Sequence, residues 1–139
     1  MLDSKVVVSA FLVASGPSAR ILTGVRDGHL TWVLSPTILR EVEKTLALPR
    51  ISKRYGVDPG AVAFLIASLG ELAVQVQGVV LVERKSRDPK DDPILACAVD
   101  GNVEYLVTGD QDLLTLRPYE GIAILTPREF LAILESRRR

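Results

Sequence analysis

Acidic residues at the ends of apolar runs are the feature of this sequence that could carry out chemistry. The run from Tyr105 to Thr108 ends in a turn-prone Thr-Gly pair, and Asp110 and Asp112 follow directly. Such a run is typical of a buried parallel strand that leads into a helix. Open α/β sheets bind ligands at the carboxyl ends of their strands. Both aspartates are therefore candidates for a functional site.

Three more acids lie at comparable junctions, namely Asp3, Glu41 and Asp92. Clustered carboxylates repel one another, which raises the cost of ionising them, and a divalent cation removes that cost. Oxygen ligands without His or Cys favour Mg²⁺ or Mn²⁺ over Zn²⁺. Such a cation can activate a water and stabilise displacement at a phosphodiester. Taken together, the acids predict a metal site at one edge of a sheet.

Each acid also has a simpler explanation when it is taken alone. Helix capping accounts for Asp92, Asp110 and Asp112. Asp3 would be an N-terminal surface residue, and Glu41 lies at the edge of an apolar helical stripe. The metal-site interpretation depends on several elements delivering an acid to the same edge.

Composition places the chain among single-domain α/β proteins, with one domain expected over residues 1–139. Hydrophobic residues make up 47% and aromatic residues 5%, so aliphatic side chains must form the core, which favours helices packed on a sheet. Lys+Arg and Asp+Glu both number 17, so any binding of nucleic acid must use local basic patches. Three such patches are present: Arg50, Lys53 and Arg54; Arg84, Lys85 and Arg87; and Arg137, Arg138 and Arg139.

Cysteine and histidine usage excludes several classes of site. Cys97 is the single cysteine and His29 the single histidine, so an internal disulfide and a zinc cluster are both excluded. Cys97 lies within an apolar run, which is typical of a small core residue. No apolar stretch approaches the ~20 residues that a membrane span needs. We expect a cytoplasmic protein with no membrane partner.

Proline and cap signatures predict most of the helices. They are expected at Ala19 to Arg26, Pro36 to Pro49, Ile51 to Tyr55, Pro59 to about Val74, Asp92 to Gly101, and from Pro127 onward, with Phe130, Leu131 and Leu134 buried. Strands are expected at Leu30 to Leu34, Val79 to Val82, Tyr105 to Thr108 and Ile122 to Leu125. The apolar run from Val6 to Ala14 is assigned no element. This alternation predicts a mostly parallel sheet covered on both faces, a three-layer α/β/α sandwich.

The order of these motifs resembles the PIN-domain family, in particular VapC-like ribonucleases, the toxin components of toxin–antitoxin systems. The motifs are L-D-S-K-V-V-V-S-A-F-L, G-P-S-A-R-I-L, L-S-P-T-I-L-R-E-V-E-K-T-L, R-D-P-K-D-D-P-I-L-A-C-A, Y-L-V-T-G-D-Q-D-L-L and I-L-T-P-R-E-F-L. They extend over essentially the whole chain. The resemblance implies a Mg²⁺- or Mn²⁺-dependent endoribonuclease that acts on RNA, forms a homodimer and is held inactive by a cognate antitoxin protein.

Transferred by motif, the resemblance also implies roles for individual residues. The catalytic acids would be Asp3, Glu41, Asp92 and Asp110. The metal ligands would be Asp3, Asp92, Asp110 and Asp112, with Asp110 the stronger candidate of the last two. Ser4 and Thr108 would orient ligands or waters. Lys5, which stands where the family has an amide, would contact substrate phosphate or occupy space near the metal. Asp88 and Asp91 also match acids of the family, but mainly as loop and cap residues.

Two departures from the family pattern keep other functions open. Asp3-Ser4-Lys5 stands where the family has an Asp-Thr-Asn or Asp-Ser-Asn triplet, and Met1 and Leu2 alone precede Asp3. They motivate a catalytically impaired PIN-like binding or scaffold module. A phosphotransfer domain with an aspartyl nucleophile is a third possibility. It is disfavoured because no second acid stands two residues after Asp3.

Overall fold

A computed structural model of the chain describes residues 1–76 and 92–137, without the side chains of Asp92 and Pro93. The helices are α1 (Ser4–Leu12), α2 (Pro17–Arg26), α3 (Pro36–Ala47), α4 (Pro49–Tyr55), α5 (Pro59–Leu72), α6 (Asp92–Asp100), α7 (Gln111–Leu114) and α8 (Pro127–Arg137). The strands are β1 (Val33–Leu34), β2 (Val74–Gln75), β3 (Tyr105–Val107) and β4 (Ala123–Leu125). Several predictions fall outside the described residues: the strand Val79 to Val82, the basic cluster Arg84, Lys85 and Arg87, the acids Asp88 and Asp91, and Arg138 and Arg139.

The strands pair in parallel, as the alternation of strands and helices predicts. β1 pairs with β2 and β3 pairs with β4, each as a two-stranded sheet within the described part of the chain. Leu2 adds a parallel bridge to Val107 on the free edge of β3. The Val107 N–H donates to the Met1 carbonyl, and the Asp3 N–H donates to the Val107 carbonyl, both at 2.9 Å. The α/β class is confirmed, and the three-layer arrangement stays a prediction.

Helices α3, α5, α6 and α8 begin where their cap and proline signatures predict, whereas α2 and α4 each begin two residues earlier than predicted, at Pro17 and Pro49. The Ser35 hydroxyl accepts the Ile38 N–H at 3.3 Å at the start of α3, and the Asp58 carboxylate accepts the Ala61 N–H at 3.3 Å at the start of α5. The predicted stripe of α3 lies in the core, and so do the predicted core residues of α8. These buried residues are Ile38, Val42, Leu46, Phe130, Leu131 and Leu134.

Helix α1 is the element that the sequence pattern does not reveal. Its Val6-Val7-Val8 run has β-branched side chains, which favour strands. The run is nevertheless helical, because Asp3 caps the first turn and the valines are buried in the core. Tertiary packing here outweighs intrinsic preference.

Two predicted boundaries are also wrong. Helix α5 ends at Leu72, and Val74 belongs to β2 instead of the helix. The first predicted strand shortens to Val33–Leu34. Periodicity cannot locate such ends, because an apolar residue in the last turn of a helix looks the same as one in the next strand.

Among the described residues, no single helix has the length and apolar character needed to cross a membrane. Helices α1 and α2 meet those criteria as a pair, with a bend of 96° between them.

Close packing of α6 against β1 requires a glycine at position 101. A Cβ placed on Gly101 would collide with the Val33 side chain and lie 3.1 Å from the Cys97 carbonyl oxygen. We expect Gly101→Ala to lower the free energy of unfolding by about 1–3 kcal/mol, because a well-packed core must shift to admit a methyl group. Denaturant unfolding measures the change. Gly109→Ala is the matched control, since an added Cβ there meets nothing within 4 Å. Equal stability of the two variants would contradict the packing argument.

A capping box at the start of α8 gives stability that depends on pH. The Glu129 carboxylate accepts the Thr126 N–H at 2.9 Å, the Glu129 N–H donates to the Thr126 hydroxyl at 3.1 Å, and Arg117 donates to the same carboxylate at 3.1 Å. These hydrogen bonds, the Thr126 N–H above all, hold the pKa of Glu129 below its usual value of 4.5.

A depressed carboxyl pKa stabilises the fold above the unfolded-state pKa, and that contribution is lost as the pH falls through the folded-state pKa. Glu129→Gln keeps an acceptor at this position but does not titrate. We therefore expect wild type to be more stable than Glu129→Gln near neutral pH, and the difference to disappear between about pH 5 and pH 3. Parallel denaturant titrations of the two proteins measure it. A difference that stays constant with pH would show that the charge of Glu129 contributes nothing.

Candidate metal centre

Asp3 lies at the junction between the first paired residues of the chain and helix α1. Its side chain is 3% exposed. The Thr108 hydroxyl donates to Asp3 Oδ2 at 2.7 Å, while the Ser4 hydroxyl and the Lys5 N–H donate to Oδ1 at 3.3 Å and 3.4 Å. A buried carboxylate needs such donors, because burial removes its hydration. Asp3 therefore has a fixed orientation.

Thr108 connects Asp3 to the turn that follows β3. It is fully buried, and its hydroxyl accepts the Asp110 N–H at 3.0 Å while donating to Asp3. Asp110 in turn caps α7, with Oδ1 accepting the Asp112 N–H at 2.9 Å. One chain of hydrogen bonds thus runs from Asp3 through Thr108 to Asp110. Asp3 follows Leu2, which bridges to Val107, and Asp110 follows β3, so both residues lie at the carboxyl end of β3.

Of the other predicted acids, Asp112 joins this chain through its backbone N–H, which donates to Asp110 Oδ1. Glu41 is half-buried on α3, a helix that packs against α1. Asp112 is half-buried in the first turn of α7. The backbone of Asp92 begins α6, but its side chain lies outside the described residues. Within residues 1–76 and 92–137, no group of three or more His, Cys, Asp or Glu side chains could hold a metal ion. The full ligand set therefore stays a prediction.

The residues next to Asp3 differ in their relation to the site. Ser4 is buried and its hydroxyl contacts the Asp3 carboxylate, which suits an orienting role. Lys5 is exposed on α1, and its backbone N–H rather than its ammonium group contacts Asp3. Its predicted contact with substrate stays a prediction.

Helix termini moderate the repulsion between the two aspartates. Asp3 and Asp110 are the N-caps of α1 and α7, so each carboxylate lies against backbone N–H groups at the positive end of a helix. This allows two acids to approach each other, although a cation would offset their repulsion further.

Cys97 is not part of this chemistry. It is fully buried on α6, and burial raises the pKa of its thiol. A thiol with a raised pKa is a poor nucleophile. The prediction that Cys97 is a core residue is confirmed.

Comparison with known proteins decides the family. The sequence profile of the PIN domain matches residues 1–112. This chain belongs to the PIN-domain family. It is also 22% identical to an uncharacterized protein of Methanocaldococcus jannaschii, over 98% of this chain and 91% of that protein. No solved structure matches the chain.

Membership gives the paired aspartates a general chemical context. PIN domains are generally metal-dependent nucleases, and they typically use divalent ions. Asp3 and Asp110 of this PIN domain offer oxygen donors alone, which are the ligands that hard divalent ions prefer. Metal binding at this end of β3 stays a prediction.

The double role of the Thr108 hydroxyl predicts an unusually costly substitution. Thr108→Val keeps the side chain's shape but deprives Asp3 of its closest donor and the Asp110 N–H of its acceptor. We expect a loss of about 1–3 kcal/mol in the free energy of unfolding, because buried polar groups are left unpaired. Thr108→Ser keeps the hydroxyl and serves as the matched control. Denaturant unfolding of all three proteins measures the effect, and a valine variant as stable as the serine variant would refute the bridging role.

Proposed function

We propose that this PIN domain is a divalent-metal-dependent endoribonuclease that hydrolyses RNA phosphodiester bonds. The observation that carries the proposal is the chain of hydrogen bonds from the Asp3 carboxylate through the buried Thr108 hydroxyl to the Asp110 N–H. A protein that needed only helix caps would have no reason to join two of them at one sheet edge through a buried hydroxyl. A metal site does need that arrangement, because its ligands must be held in fixed positions.

The donor set suits Mg²⁺ or Mn²⁺. Mg²⁺ in nucleic-acid enzymes is usually held by one or two carboxylates, with water and substrate phosphates completing its shell. Asp3 and Asp110 would supply those carboxylates, with Asp92 and Asp112 as further ligands. Asp110 Oδ1 is occupied by the Asp112 N–H, whereas Oδ2 has no donor among the described residues and is free to accept a ligand.

A bound divalent ion would activate a water and stabilise charge at the phosphodiester. The side chains of this protein would hold the metal ligands in position. Thr108 and Ser4 hold the Asp3 carboxylate, and the α7 N-terminus orients Asp110. Glu41 on α3 is the proposed further catalytic acid, positioned by a helix that packs on α1.

We further propose that the nuclease is the toxin of a cytoplasmic toxin–antitoxin pair and acts as a homodimer. The described surface supports α5 better than α3 as an interface. Helix α3 buries Ile38, Val42 and Leu46, whereas α5 exposes Phe64 to 75% and Leu72 to 46%. Exposed apolar patches of this kind mark sites of protein association.

The proposal predicts that RNA cleavage requires Mg²⁺ or Mn²⁺ and the paired acids. Asp110→Asn and Asp92→Asn should each lower the cleavage rate by more than about 100-fold, since even partners of the ligands are commonly worth ~10–100-fold. Their stability should change little, because asparagine caps a helix about as well as aspartate. Cleavage of labelled single-stranded RNA with chelator, and then with added Mn²⁺ or Mg²⁺, measures the activity.

Asp58→Asn is the matched control for this experiment. Asp58 caps α5 through the Ala61 N–H, so the same chemical change is made at a helix N-cap that has no proposed part in the site. Full activity of Asp58→Asn beside inactive Asp110→Asn would assign the loss to the site. Unchanged cleavage in Asp110→Asn or Asp92→Asn would refute the assignment. If wild type neither cleaves RNA nor binds Mn²⁺ by calorimetry, the binding or scaffold module motivated by Lys5 would replace it.

A further inference from the structure

Helix α4 presents a basic surface to solvent. Arg50, Lys53 and Arg54 are exposed, and their spacing of three and four residues puts them on one face of the helix. Ile51 lies on another side of the helix, half-buried against the core. We call the three basic residues, together with Tyr55 at the end of the helix, the α4 patch.

The charges of the α4 patch are not neutralised by the rest of the described chain. Elsewhere on the surface, Arg20 pairs with Glu135 at 2.7 Å. Among the described residues, no carboxylate forms an ion pair with a cation of the α4 patch. Asp58, the acid that follows α4, instead caps α5. Because the net charge of the protein is zero, the patch is a local excess of positive charge.

Helix stability explains part of this pattern, but not all of it. Lys53 and Arg54 lie in the last turn of α4, where cations interact favourably with the negative end of the helix dipole. Arg50 lies in the first turn, at the positive end, where a cation is disfavoured, and no acid accompanies it there. Stability alone therefore does not account for Arg50, and its position indicates a binding role.

An aromatic ring lies beside these cations. The guanidinium carbon of Arg54 is 5.5 Å from the centre of the Tyr55 ring, and Tyr55 is 45% exposed. Surfaces that bind single-stranded nucleic acids combine basic side chains, which follow the backbone, with aromatic rings on which bases stack. An acidic segment of a protein would use the cations but would gain little from the ring. The α4 patch therefore suits a nucleic acid better than an acidic peptide.

The α4 patch is close to one of the proposed catalytic acids. Leu48 alone separates α4 from α3, and the two helices are in contact. Glu41 lies about 9 Å along the helix axis from Ala47, the last residue of α3, because the rise of an α-helix is about 1.5 Å per residue. A nucleic-acid strand that passes Glu41 could therefore extend onto the α4 patch.

We propose that the α4 patch binds the backbone of single-stranded RNA, with one base stacked on Tyr55, beside the segment that is cleaved. Arg50, Lys53 and Arg54 would contact phosphates, and the planar guanidinium groups can each donate two hydrogen bonds to one phosphate. Such contacts hold RNA without reading its sequence. The identity of the ligand rests on the proposed function, whereas its binding to the patch does not require the metal centre.

RNA binding in the presence of chelator tests the proposal without cleavage. The probe is a fluorescein-labelled, unstructured RNA of about 12 nucleotides, and anisotropy measures its Kd. Combined replacement of Arg50, Lys53 and Arg54 by Gln should weaken binding at least about 10-fold. The slope of log Kd against log salt should fall by about 2, since each phosphate contact with a single strand contributes about 0.7.

The matched control removes the same charge from other surfaces of the protein. Combined replacement of Arg20, Arg26 and Arg128, all exposed, by Gln should leave the Kd for RNA within about twofold of wild type, because these residues lie outside the patch. Equal losses of affinity in the two triple variants would show that net charge alone attracts RNA and would overturn the proposal. Wild-type affinity in the α4 variant would overturn it as well.

Substitution of Tyr55 tests whether the ligand is a nucleic acid. Tyr55→Ala should weaken RNA binding about 10-fold, because stacking on the ring is lost, whereas Tyr55→Phe should bind as wild type does. An unchanged RNA affinity in Tyr55→Ala would overturn the proposal. Polyglutamate that binds the protein as tightly as RNA would assign the patch to an acidic peptide instead.

Cleavage by the same variants separates the α4 patch from the proposed nuclease activity. The α4 triple variant should change the KM for RNA far more than kcat, since the patch binds substrate away from the reacting atoms. If wild type binds RNA through the patch but does not cleave it, the nuclease proposal alone fails. If wild type cleaves RNA with Mn²⁺ and both triple variants share its KM, the proposal for the α4 patch alone fails.

Discussion

The hydrogen bond from the Thr108 hydroxyl to the Asp3 carboxylate is the interaction on which both the fold and the candidate site depend. It is buried, 2.7 Å long, and joins residues 105 positions apart in sequence. It lies at the point where Leu2 pairs with Val107. Because both groups are buried, water cannot replace either partner, and losing the Thr108 hydroxyl leaves Asp3 Oδ2 without its donor. The same hydrogen bond therefore fixes the first residues of the chain against β3 and fixes the orientation of the Asp3 carboxylate.

The aspartates at this edge combine two functions that usually belong to different residues. Asp3 and Asp110 cap helices, which stabilises the fold, and both place a negative charge at the carboxyl end of β3, where like charges disfavour one another. Helix N-termini and the Thr108 hydroxyl offset part of the repulsion. The repulsion between such carboxylates lowers the stability of the fold without a cation, and a cation removes it. This suits a site that binds a divalent ion. Asp58, a cap remote from this edge, shows that capping alone needs no such pairing.

The sequence predicts those parts of the molecule that local chemistry determines. A side-chain cap needs only the next three residues, so the sequence predicts helix starts at Ser35, Asp58 and Asp110. The paired position of Asp3 and Asp110 follows from the rule that parallel strands end at one edge. Helix α1 is not predictable in this way, since its valines favour a strand until the core buries them. The distance of Glu41 from the other acids depends on how α3 packs, which periodicity does not encode.

The backbone around Asp3 also fixes the candidate metal centre. Leu2 bridges to Val107, and the Asp3 N–H donates to the Val107 carbonyl at 2.9 Å. Helix α1 begins at the next residue, so the chain changes from strand pairing to helix at Asp3 itself. Metal ligands tolerate little displacement. A substitution that weakened the pairing of Leu2 with Val107 would therefore move the Asp3 carboxylate through the backbone alone, with no change to any side chain of the centre.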